Sequence, residues 1–238
     1  MFNQTSGLGQ IASNVDNNFN AKVYTQQMLE AIQNPLANLA NTIAAYKYFE
    51  ALYNSDGKSV TFTTPAGQAV TVNISPAVAQ HFHDDVTKVL SDYGTIKVPY
   101  DAKGDTADLV DSNGNPVSLL TIVSNPTAQY SVHFDMDDSD NYDSNGNPNA
   151  PTWDSGIEDQ FANNQGCSDN TNFNTGNDQN NQLSVHVHQG ACSDTEHWTI
   201  SGTAEQWEAQ GALNPVANSS SQATADENTL ENDFNNQM

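Results

Sequence analysis

The chain contains no arginine, and beyond Lys103 it has no lysine either. Without guanidinium groups there is no bidentate clamp for a phosphate or a carboxylate. The 6 lysines lie between Lys22 and Lys103, where 8 acidic residues leave a net charge of −2; residues 104–238 hold 21 acidic residues, a net of −21. Such a surface repels phosphate backbones and argues against nucleic-acid binding. It attracts cations, or serves solubility alone, and suits an extracellular or periplasmic setting. Long apolar runs are missing: no stretch approaches the ~20 residues of a membrane span. The first residues, Met-Phe-Asn-Gln-Thr-Ser, lack the basic and apolar regions of a secretory leader. Export would then follow another route, or a leader has already been removed. Cysteine is scarce. Cys167 and Cys192 sit in similar settings, Gln-Gly-Cys-Ser-Asp and Gly-Ala-Cys-Ser-Asp. They would form a disulfide outside the cytosol, the alternative being two unpaired thiols. No phosphate-cradling glycine loop and no nucleophile elbow is present.

What is abundant is Asn, Gln, Ser, Thr and Asp, which leaves hydrophobic residues at 36%. That composition predicts long polar loops and disordered ends. Residues 1–20 read as a flexible arm. Val23 to Asn54 reads as helix divided by Pro35. Residues 59–74 alternate like a β-hairpin, turning at Pro65-Ala66-Gly67. Ser75 and Pro76 open a second helix that Gly94 stops. Strands are predicted at 95–99, 107–111, 117–123 and 128–134. The segment from Asp135 to Gln182 reads as a long polar loop. Strands follow at 183–189 and 197–202, then a short helix opened by the capping box Thr203/Gln206. The expected organisation is an arm (1–20), a helical and hairpin region (21–103), an acidic β-rich metal-binding region (104–212) and a disordered acidic tail (213–238). The fold class is α+β: helices with a β-hairpin, then a mainly antiparallel β region.

Leu183-Ser184-Val185-His186-Val187-His188-Gln189 alternates. Strand side chains switch faces with period two, so His186 and His188 share one face and Val185 and Val187 the other. If the next turn is centred near Cys192 and Ser193, an antiparallel hairpin sets residue 188 opposite residue 197. Directly opposed side chains lie roughly 5 Å apart at Cβ. His186, His188 and His197 then converge, and three imidazoles plus water is the open coordination of a catalytic zinc. The bland alternative is a surface pair of histidines with no metal.

These residues also carry a resemblance. Val185-His186-Val187-His188-Gln189-Gly190, followed by Thr195-Glu196-His197, resembles the Val-His-x-His-x-Gly-x-Glu-His signature of the δ-class carbonic anhydrases. Cys167 and Asn172-Phe173-Asn174 resemble a Cys and an Asn-Phe-Asn segment near the same motif. The likeness spans some 30 residues. Ala191 to Asp194 are additional here, and Ser184 stands where the family commonly has Asn. The resemblance implies zinc and the reversible hydration of carbon dioxide to bicarbonate. Zinc lowers the pKa of its bound water to about 7. Glu196 would orient a ligand imidazole or the zinc water, and Thr199 would accept the hydrogen bond of zinc hydroxide. Each also reads as an ordinary strand residue.

His133 ends a strand before Asp135, as a proton relay, a stray ligand or an ordinary histidine. His81 and His83 lie about 200° apart on a helical wheel and cannot chelate one ion together. The run from Asp135 through Asp137 and Asp143 to Asn145 offers hard oxygens for calcium. Its EF-hand likeness stops at Thr152, where a bidentate Glu is needed. The rival to a zinc lyase is therefore a secreted structural or adhesive protein that binds calcium and catalyses nothing.

Overall fold

The computed structural model describes residues 5–35, 37–99, 105–137, 170–175, 182–189 and 195–237. The protein is α+β, with antiparallel pairing throughout the described sheets. It divides into two compact units. One runs up to Asp92 and resumes at Ser219; the other is Tyr93–Asn218. The division therefore falls before the expected boundary at 103, and the end of the chain returns to the first unit.

The first unit contains α1 (Thr5–Gln33), α2 (Leu39–Tyr53), the hairpin β1 (Val60–Thr63) and β2 (Ala69–Val72), α3 (Pro76–Asp92), and a last helix, numbered α6 below. Pro35 separates α1 from α2 as expected, and Asn38 caps α2 by accepting from the Asn41 amide. The hairpin pairs Val60 with Val72 and Phe62 with Val70. An aromatic cluster of Tyr24, Tyr48, Phe49, Phe62 and Phe82 fills the middle. The expected arm is corrected: α1 starts at Thr5, so the backbone of most of residues 1–20 is helical. The expected disordered tail is corrected as well. Ser220–Gln237 forms α6, burying Ala223, Asp226, Leu230 and Phe234. The spacing of three, four and four residues is a helical stripe, too sparse to stand out in so polar a segment.

The second unit holds two sheets. β3 (Thr95–Pro99) lies between β4 (Thr106–Asp108) and β9 (Asn214–Val216). The four-stranded sheet has the order β5-β8-β7-β6: β5 (Tyr130–Asp137), β8 (Thr195–Gly202), β7 (Ser184–Gln189) and β6 (Asn170–Asn174). One face of this sheet supplies the core. Tyr130, Val132, Phe134, Leu183, Val185, Val187, Trp198 and Ile200 are all buried there. Two short helices complete the unit. For α4 (Leu119–Ser124) the strand expected at 117–123 is wrong. Ser118 caps the Thr121 amide at 3.1 Å, and Leu119, Ile122 and Val123 bury at helical spacing, which outweighs the strand preference of Ile and Val.

For α5 (Ala204–Ala209) the capping box is as read from the sequence. The Gln206 amide donates to Thr203 Oγ1 at 3.3 Å, and the Thr203 amide donates to Gln206 Oε1 at 2.9 Å. Thr203→Ala removes one half of that exchange. It should cost about 1 kcal/mol of stability, read as a lower denaturation midpoint at unchanged slope.

Candidate functional site

The polar face of the four-stranded sheet is ordered in rows. Because every pair is antiparallel and in register, residues of one phase line up across all four strands. The first row is Ser131, Ser201, Ser184 and Asn174; the second is His133, Thr199, His186 and Asn172; the third is Asp135, His197, His188 and Asn170. Four of the chain's six histidines thus stand on one face, in two adjacent rows. The burial pattern agrees with the register. Val185, Val187, Trp198 and Ile200 are buried, while His133 and His197 are exposed and His186 is half-buried.

The backbone register sets His188 opposite His197. This is the pairing the hairpin argument requires, and it puts both next to the row that holds His186. Three other side chains hold the imidazoles. His197 Nδ1 lies 2.5 Å from Asp135 Oδ1, across β8 and β5. His186 Nδ1 lies 2.7 Å from Asn172 Oδ1, across β7 and β6. Both partners are acceptors, so each ring donates through Nδ1–H. In a neutral ring that leaves Nε2 as the acceptor nitrogen, the form in which histidine ligates a metal. His133 Nδ1 pairs with Thr199 Oγ1 at 2.9 Å.

The expected role of Glu196 rests on a side chain outside the described residues; only its backbone is described. Its backbone pairs with Met136 and Gln189, one step out of phase with His197 and in phase with buried Trp198. Among the described residues, the carboxylate that meets His197 is that of Asp135. Asp135, one of the expected calcium ligands, lies in β5 with its carboxylate facing His197. The β5–β8 register, which pairs Asp135 directly with His197, puts it there. Thr199 does lie on the histidine face, between His186 and His133. Asn172, read only as part of an Asn-Phe-Asn likeness, supports His186.

Among the described residues, no group of three or more His, Cys, Asp or Glu side chains is placed to hold a metal. The three-histidine set includes His188, of which the backbone but not the side chain is described. Cys167, Cys192, Asp143 and Asn145, and the side chains of Asp137 and Glu196, also lie outside the described residues. So does the acidic segment 138–169.

A shallow groove of about 540 Å³ borders the face at the β5 edge, lined in part by Lys97, Asp108, His133 and Asp135. Lys97 there donates to Asp108. The groove gives a small solute a way to the β5 side of the histidine rows. No protein-family model, no curated protein and no solved structure matches this chain.

Proposed function

We propose that His186, His188 and His197 bind one zinc ion and that the protein hydrates carbon dioxide reversibly to bicarbonate. The observation that carries this reading is the doubly supported histidine face. His188 and His197 are directly opposed, and Asn172 and Asp135 fix the tautomers of His186 and His197. A zinc ion on three imidazoles supplies hydroxide at neutral pH, the nucleophile that carbon dioxide requires. The chain's own groups do the rest. Asp135 orients His197 and strengthens it as a donor to metal, and Asn172 does the same for His186. Thr199 Oγ1, between His186 and His133 in the row, would accept the hydrogen bond of zinc hydroxide. Exposure of the face suits a substrate and product this small. An acidic chain without arginine fits work outside the cytosol, and no helix among the described residues is long and apolar enough to cross a membrane.

The supporting carboxylate offers a direct check. Asp135→Asn keeps the shape but loses the charge against His197. Zinc affinity should fall about 10–100-fold, read by competition with a chromophoric chelator, with CO2 hydration falling alongside at limiting zinc. An unchanged affinity would leave Asp135 no part in the site. Calcium-dependent stability of the full chain, with no zinc retained, would favour the structural rival.

A further inference from the structure

In the first unit, α3 and α6 meet along a seam of aspartates. Asp85 and Asp92 stand seven residues apart on α3, and Asp226 and Asp233 seven apart on α6, so each set occupies one helical face two turns long. Asp85 meets Asp233, and Asp92 meets Asp226. The pairings run in opposite senses along the two helices, so the helices are antiparallel and the like-charged pairs close both ends of the seam. Among the described residues, the buried oxygens Asp85 Oδ2, Asp92 Oδ2 and Asp226 Oδ2 receive no donor from outside the aspartate pairs. Two carboxyl groups in contact form a hydrogen bond only when one of them carries a proton; with both ionised they repel.

The neighbouring charges do not cancel this. On α3, Lys88 donates to Asp226 Oδ1, which also accepts from Gln222 of α6 at 2.8 Å. His81 and Asp84 lie beside Asp85, and Glu227 of α6 lies near Asp92. From α2, Tyr53 stacks on His83, whose Nδ1 is 3.6 Å from Asp84. From α1, Lys22 sits over the ring of Phe234 and Gln33 donates to the Glu227 carbonyl. Lys88 thus sets one cation directly against Asp226 in this seam. Apart from this seam, α6 is anchored by three buried apolar side chains, Ala223, Leu230 and Phe234.

We propose that α6 is a pH-sensitive strap, held on α3 in acid by two proton-sharing aspartate pairs and loosened when those pairs lose their protons. Titration of the seam agrees. Burial and the contact with Asp233 push the Asp85 carboxyl up to about 6. Burial and Asp226 raise Asp92 as well. Burial would raise Asp226 too, but hydrogen bonds from Lys88, Gln222 and Asp92 hold it below the usual carboxylate range. An acid whose folded-state pKa is raised binds its proton more tightly when docked. Its contribution is therefore full below the ordinary aspartate range and is lost as pH rises through about 6.

Hydrogen–deuterium exchange of the α6 amides tests this in the full-length protein. Rates are taken at pH 5 and pH 8, corrected for intrinsic exchange, with chelator present. Opening of α6 should be roughly tenfold more frequent at pH 8. In Asp233→Asn, and in Asp85→Asn, an amide donates to the remaining carboxylate without a shared proton. Each variant should shrink the pH difference and raise protection of α6 at pH 8. Equal protection of the parent chain at the two pH values would overturn the proposal. So would variants that keep the full pH difference, which would assign it to a group outside the seam, or that lose protection at pH 8.

Discussion

Replacing His188 with alanine should abolish stoichiometric zinc and CO2 hydration together, while the fold is kept. Its backbone position is opposite His197 and two places from His186 on the same strand phase, so of the three it is the position next to both other candidate ligands. Removing it leaves two rings and cuts affinity by more than the 10–100-fold expected for loss of a supporting hydrogen bond. His186→Ala and His197→Ala should behave alike. His133→Ala is the informative contrast. His133 occupies the same face but is separated from His186 by Thr199, to which it is hydrogen-bonded. It should therefore lose little zinc. Metal content by mass spectrometry and initial rates of CO2 hydration, compared across the four variants, separate the readings. Zinc retained by His188→Ala, or lost equally in His133→Ala, would rule out the proposed ligand set.

The legible part of this protein is the part governed by strong periodicity. Alternation through Val185 and Val187 gave the buried face of β7 and hence the shared phase of His186 and His188. The short connection to His197 allowed the register now seen. What escaped was information held in other segments. Asp135 and Asn172 support the histidines from β5 and β6, 62 and 14 residues away in sequence. Nothing local at those positions announces the partner. β6 was hidden in a polar stretch because Asn-Thr-Asn-Phe-Asn carries little strand preference and is held by pairing with β7. Glu196, next to His197 in sequence, takes the opposite backbone phase in β8, because adjacency in a strand alternates faces. α6 was missed because its apolar stripe is thin and its seam with α3 is made of like charges, a pattern that composition alone reads as disorder.

Beneath the histidine rows the sheet depends on a few large side chains, and Trp207 is the most exacting of them. It is fully buried on α5, and its indole Nε1 donates to the Tyr130 carbonyl at 3.1 Å. Tyr130 begins β5, is itself buried, and donates through its hydroxyl to the Asn125 carbonyl at 2.8 Å. The helix, the start of β5 and the turn after α4 are therefore tied through two aromatic residues. Trp207→Ala opens a cavity and deletes the donor to Tyr130, which should cost about 3–5 kcal/mol. Trp207→Phe keeps most of the apolar volume and loses the indole N–H, so its cost should be nearer 1–2 kcal/mol. Denaturation followed by near-ultraviolet circular dichroism orders the two. Because Asp135 lies five residues along β5 from Tyr130, a strand start set loose in Trp207→Ala should also weaken the support of His197. Zinc affinity should then fall in Trp207→Ala and stay near its starting value in Trp207→Phe. Equal stability of the two variants would mean that the indole's volume contributes nothing to holding β5 in place.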